Sequence, residues 1–310
     1  MIVDGELSAE AGRWCSLASL AAGEQLFGTA TRVTVWLALE HDANFGAEAL
    51  ADSALPDAVK AHFAGALAAI PGSRVQLIRQ PGRLPRSAAA RTFFVALPGA
   101  LYRFLLDDVL DLTRLDVQAV VNRDARFAPN QVAGTLWLVC VNGRRDRCCA
   151  KFGGPFYDAL RLEAGAWVWQ TSHVGGHRFA PTVVALPHGL IYGRVPSNKA
   201  AALAHDQSQR RIALDFYRGC SYDDEPVQAA EYYLRRETGI LGIDALARLA
   251  VVRQGDGRWR AQFEALHEPG VRYEVIVESA PSTFAIAKSC ADESSKPVAQ
   301  HHLVGLRRLV

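Results

Sequence analysis

The sequence has no apolar run near the ~20 residues a helix needs to cross a bilayer, so no membrane partner is expected. Its N-terminus, MIVDGELSAEAGRWC, carries acids where a signal peptide needs a basic start and an apolar core. That reads as a cytoplasmic protein. No surplus of one charge is present either: a net +2 over 310 residues leaves no footprint for nucleic acid. A G-x-G-x-x-G turn and a Walker loop are both missing, which argues against flavin or nicotinamide on a Rossmann motif. There is no C-x-x-C dithiol, which argues against thioredoxin-type disulfide exchange.

Half of the residues are apolar, enough for a large buried core and more than one domain. Six cysteines are present, at 15, 140, 148, 149, 220 and 290. Stable disulfides are uncommon in a reducing compartment. Three cysteines within residues 140–149 therefore suggest a metal or redox site more than a disulfide framework.

The spacing of apolar residues predicts a helical lead-in over 1–30 and a buried strand over 32–40. An alanine-rich helix over 57–70 follows Pro56, and two strands, 74–78 and 92–96, flank a loop. This β-α-β-β order fits one α/β unit. A second unit starts with the strand TLWLVC, ending at Cys140. A helix is expected over 149–162, delayed or kinked by Gly153, Gly154 and Pro155. A short strand over 166–170, the loop SHVGGHRFA and a hairpin of 182–186 with 190–195 complete it. Helices over 197–205 and 225–238 come next, the second closed by Gly239. Three antiparallel strands and a polar tail holding Cys290 finish the chain.

Chemistry concentrates in the second unit. Cys140, eight residues, Cys149, twenty-three residues, His173, three residues and His177 form a compact quartet of soft or borderline ligands. The Cys148–Cys149 pair sits at a helix start, where backbone N–H groups favour the thiolate that binds metal. Two histidines can replace two cysteines on one iron of a [2Fe–2S] centre. By that logic Cys140 and Cys149 take one iron and His173 and His177 the other. A structural zinc would use the same residue types. The eight-residue cysteine gap is longer than the two to four usual in zinc fingers.

The segments CVNGRRDRCCAKFGGPFYDAL and QTSHVGGHRFAPTVVALPHGLIYGRV resemble the sucrase/ferredoxin-like family. So do TRVTVWLALEHDANFGAEALADSALP, RVQLIRQPGR and RGCSYDDEPVQAAEYYLRRETG. The resemblance implies a bis-histidine, thioredoxin-like [2Fe–2S] ferredoxin. His173 and His177 then stand where ordinary members carry cysteines, Pro181 leads a strand and Pro187–Gly189 makes the turn. Pro181 resembles the cis-proline of thioredoxins. The "sucrase" of the name implies nothing here, since no paired carboxylates stand in a sugar-hydrolase context.

The reading is an α/β protein of tandem thioredoxin-like units with a C-terminal α+β extension. Residues 1–128 are an N-terminal α/β domain, 129–218 the [2Fe–2S] domain and 219–310 the extension. The expected function is one-electron transfer with a separate protein partner, a flavoprotein reductase or another donor or acceptor. Non-enzymatic transfer is favoured. Two alternatives stand beside it. One is a zinc-stabilised interaction module. The other is a thiol enzyme with Cys148 or Cys149 as nucleophile and His173 or His177 as base. Cys148 is the alternative ligand to Cys149. Arg144, Arg145, Arg147, Lys151 and Arg178 could form a positive rim for an acidic partner. Cys15, Cys220 and Cys290 are read as ordinary packing or surface thiols. His188, His205, His267, His301 and His302 are read as surface residues.

Overall fold

The computed structural model describes residues 13–82 and 90–309. Residues 1–12 of the expected lead-in and 83–89 of the expected loop lie outside the described residues. The first half runs α1 (Cys15–Ala21), β1 (Val35–Glu40), α2 (Asp57–Ala69), β2 (Ser73–Arg79), β3 (Arg91–Leu97), β4 (Ala100–Leu106) and α3 (Val117–Val121). The second runs β5 (Leu136–Cys140), α4 (Arg147–Ala164), β6 (Val168–Thr171), β7 (Thr182–Leu186), β8 (Leu190–Gly193), α5 (Ala200–Ser208) and β9 (Tyr217–Cys220). Then come α6 (Glu225–Thr238), β10 (Leu246–Arg253), β11 (Arg258–Ala265), β12 (Arg272–Ile286) and β13 (Lys296–Leu309). The α/β expectation holds.

Strands β1 to β9 form one sheet in the order β4-β3-β1-β2-β6-β5-β7-β8-β9. Within it the topology repeats. β1 pairs parallel with β2 and antiparallel with β3, and β3 pairs antiparallel with β4. β5 does the same with β6 and β7, and β7 with β8. The two halves meet at equivalent strands, β2 against β6, through Ile78–Thr171 and Arg79–Gln170.

Alternation along the strands separates the layers. Val35, Leu37 and Leu39 pack with Val59 and Phe63 of α2 on one face. Trp137 and Val139 pack with Phe156, Tyr157 and Leu160 of α4. The opposite residues, Trp36, Ala38, Leu136, Leu138 and Cys140, share an inner core that spans both halves and includes Cys149.

Several elements depart from the expectations. Helix α4 starts at Arg147 and runs unbroken to Ala164. Pro155 and Lys151, whose carbonyl loses the i→i−4 bond, both face solvent, so water can satisfy that carbonyl. The acidic stretch after residue 106 follows a strand not foreseen, β4, joined to β3 through Pro98 and Gly99. The polar tail is largely β13, the edge of a four-stranded sheet in the order β10-β11-β12-β13. That sheet buries Val275 and Val277 against Val227, Ala230 and Leu234 of α6. Helix α6 has the expected bounds, with Gly239 left-handed at φ 72° closing it. The Ala180–Pro181 and Leu186–Pro187 peptides are cis. No described helix is long and apolar enough to cross a membrane.

His301 of β13 is not a surface residue. It is buried, with Nε2 donating to the Gly28 carbonyl at 3.2 Å and Nδ1 accepting from the Ser279 hydroxyl at 2.8 Å. Burial pushes its pKa below the ordinary 6.5. The folded state thus holds it neutral while the unfolded chain binds a proton near pH 6.5. Its contribution to stability is full above pH 6.5 and falls as pH drops from 6.5 towards the folded value. Urea titrations between pH 7.5 and 5 are expected to show a shallower acid loss for His301→Asn than for the unsubstituted chain. Equal slopes would refute this.

Candidate metal centre

Parallel strands β5 and β6 end side by side, with Cys140 in register with Thr171. A crevice beyond the carboxyl ends of parallel strands is a usual place for a ligand. Cys140 is the last residue of β5. Cys149 is the third residue of α4, whose N-terminus faces that end of the sheet. The chain turns after Asn142 and is capped by Asp146, which accepts from the Cys148 N–H at 2.8 Å. Gly153, one turn further on, brings the helix against β5: a Cβ there would overlap the Cys140 carbonyl oxygen.

His173 and His177 lie on the loop that leaves β6. Gly175 and Gly176 adopt φ 97° and 69°, conformations open to glycine. A Cβ at Gly175 would strike Thr31, and one at Gly176 would strike the Arg218 guanidinium. Val174, fully buried, anchors the loop in the inner core. Arg74 donates to the His173 carbonyl at 2.6 Å. Arg218, also fully buried, donates to the Gly175 carbonyl at 3.2 Å. Burial pushes the Arg218 pKa down to about 9. These two arginines were not foreseen. They come from β2 and β9, and no local spacing links them to the histidine loop.

The donors converge. Cys140 Sγ lies 3.9 Å and Cys149 Sγ 3.8 Å from His173 Nδ1. These three donor atoms all fall within 4.8 Å of one another, and His177 falls outside that span. The two imidazoles lie side by side, centroids 5.0 Å apart and tilted by 34°. His177 Nδ1 is buried without a hydrogen-bond partner, and its Nε2 is 3.8 Å from Asp146 Oδ2. Both thiols are about 1% exposed, while both histidines are half-buried and His173 lines a cleft of about 550 Å3.

Contact with Cys149 pulls the Cys140 thiol well below its ordinary range, with His173 helping and burial opposing. Cys140 in turn pushes Cys149 far above it. In the absence of metal the buried pair therefore holds one proton between two sulfurs. Burial pushes His177 below its ordinary value against the pull of Asp146. It is therefore the neutral ring, the form that binds metal. Two thiol groups and two imidazoles, one with an orphaned nitrogen, suit a metal centre of mixed soft and borderline ligands.

Cys148 points away from this group. It meets Cys15 and Cys290, which corrects the expectation that those two are separate packing or surface thiols. Cys220 lies apart, its thiol against the His188 carbonyl. All six cysteines are free. The basic residues near the site are mostly engaged. Arg145 pairs with Glu48, and Arg178 with Glu24 at 2.8 Å. Arg147 and Lys151 lie over the Trp14 ring at 5.6 and 5.9 Å.

One family model, described as sucrase/ferredoxin-like, matches residues 26–219. That span takes in the nine-stranded sheet up to β9 and all four quartet residues. It stops short of α6 and the C-terminal sheet. No curated protein and no solved structure matches the chain.

Proposed function

Starting from a chain that belongs to the sucrase/ferredoxin-like family, we propose that it is a one-electron carrier. Cys140 and Cys149 would hold one iron of a [2Fe–2S] cluster, and His173 and His177 the other. When bound, such a cluster supplies reversible single-electron chemistry. The observation that carries the reading is the elongated shape of the quartet. Three donors lie within 4.8 Å of one another and His177 lies beyond, with its buried Nδ1 unpartnered. A single tetrahedral ion needs all four donors within about 4 Å. A two-metal rhomb spreads them further apart.

The remaining residues have definable tasks. β5 and α4 keep the thiolates dry, and desolvation strengthens their bonds to metal. Arg74 and Arg218 fix the histidine loop through its carbonyls. The two half-buried rings, His173 of them lining the cleft, present the exit for an electron and for a proton on imidazole. A separate protein would supply and accept electrons there, since the chain has no motif for a flavin or nicotinamide.

One observation favours a second reading. Cys140, Cys149 and His173 are close enough to surround one zinc, which would make the chain a zinc-stabilised module and leave His177 Nδ1 unsatisfied. Metal and acid-labile sulfide analysis of anaerobically purified protein tests both. About two irons and two sulfides per chain, with an EPR signal on dithionite reduction, are expected. A colourless protein with one zinc and no sulfide would overturn the electron-carrier reading.

A further inference from the structure

The second cysteine group is built from three distant segments. Cys15 opens α1, Cys148 is the second residue of α4, and Cys290 lies in the loop between β12 and β13. Their sulfurs form a near-equilateral triangle: Cys15–Cys148 3.5 Å, Cys148–Cys290 3.3 Å and Cys290–Cys15 3.5 Å. Asp146 caps the triangle, with its oxygens 3.7 and 3.8 Å from the Cys15 sulfur. All four donors lie within 4.8 Å of one another. Trp14 and Phe152, stacked edge to face at 6.0 Å, pack against the group and shield it from water.

This is an unusual set of groups to bury together. The Asp146 side chain is wholly buried. Among the described residues the only basic side chain within ion-pair reach of it is His177, whose Nε2 stands 3.8 Å away. A buried carboxylate beside three ionisable thiols calls for a cation. Neither a disulfide nor plain thiol packing answers that need. A disulfide would join two of the three sulfurs at about 2.05 Å, leave the third unused and bring no positive charge.

We propose that Cys15, Cys148, Cys290 and Asp146 form a second metal centre that takes one Zn2+, distinct from the Cys140/Cys149/His173/His177 site. Tetrahedral zinc with bonds of about 2.3 Å to sulfur and 2.0 Å to oxygen sets S–S edges of about 3.8 Å and S–O edges of about 3.5 Å. The observed sulfur triangle and the Asp146–Cys15 edge need to move by only a few tenths of an ångström to meet those values. Thiol protons leave for solvent as the ion binds. Remaining anionic charge is met by N–H and O–H donors already in place. Cys15 N–H lies 3.4 Å from the Cys290 sulfur and the Ser16 hydroxyl 3.3 Å from that of Cys148. Asp146 Oδ2 accepts from Cys290 N–H at 2.8 Å and from Ser289 at 3.1 Å, which orients the cap. The site clamps α1, α4 and the C-terminal sheet together. Cys15 and Cys290 both lie outside the family-matched span of 26–219.

The test uses the full chain equilibrated with Zn2+ and dialysed. One retained zinc per chain is expected, with a zinc-edge X-ray absorption spectrum fitting three sulfurs at about 2.3 Å and one lighter atom. Retained zinc should fall at least tenfold in Cys15→Ser/Cys290→Ser. Three results would each overturn the proposal: no retained zinc, a shell of two sulfurs and two nitrogens, or an intact mass 2 Da low from a disulfide among these cysteines. The spectrum is taken on the unsubstituted protein, so misfolding of the variant does not blunt the test. A further zinc lost on His173→Ala/His177→Ala would count against the iron–sulfur reading alone.

Discussion

Replacing His177 with cysteine is expected to lower the reduction potential by on the order of 100–300 mV, and His173→Cys by less. The exchange puts an anionic thiolate where a neutral imidazole stood, so the centre becomes more negative and harder to reduce. The scale follows from bis-histidine centres, at about −150 to +300 mV, against all-cysteine plant-type centres near about −400 mV. The ordering of the two variants comes from this structure. His177 Nε2 lies 3.8 Å from the buried Asp146 carboxylate, so a second anion there meets an existing one in a low-dielectric setting. His173 stands by the cleft, with the Arg74 guanidinium on its carbonyl at 2.6 Å to offset added negative charge. Potentiometric titration followed by EPR reads both values. A rise in either variant would contradict the charge argument. A larger drop for His173→Cys would contradict the asymmetry assigned to Asp146 and Arg74.

Gly153→Ala is expected to destabilise the fold by roughly 2–4 kcal/mol and to cost metal retention as well. The new methyl would overlap the Cys140 carbonyl oxygen, a backbone atom at the end of β5 that cannot swing aside as a side chain would. Helix α4 must then lift off the strand end, and Cys149 moves away from Cys140. Gly154 is the matched control. A Cβ there meets nothing within 4 Å, and the residue lies inside the same helix. Gly154→Ala is therefore expected to stabilise by about 0.5–1 kcal/mol through helix propensity. Urea unfolding midpoints for the pair, with metal content per chain, check both signs. A tolerated Gly153→Ala with full metal content would show that α4 and β5 are not in the tight contact on which the thiol pair depends.

The Cys140, Cys149, His173 and His177 set was legible from spacing because all four belong to one β-α-β unit. Residues at the ends of adjacent parallel strands and at the start of the intervening helix are brought together by local topology alone. The hairpin after Pro181 and helix α6 with its Gly239 cap were legible for the same reason: alternation, turn residues and capping act over a few positions. The run of Gly153, Gly154 and Pro155 misled, because propensity weighs each residue without its neighbours in space. Gly153 is small to admit β5, and Pro155 loses its hydrogen bond on the wet face of the helix.

Sequence by itself determined the α/β class, the order of most elements and the residue types of the quartet, since each is written in contiguous or near-contiguous residues. Tertiary structure alone decided that two units fuse through β2 and β6, that Arg74 and Arg218 grip the histidine loop, and that Cys148 turns from Cys149 to meet Cys15 and Cys290. Those contacts join residues up to 275 positions apart. They depend on how whole sheets and helices pack, and no short-range pattern of side chains carries that information.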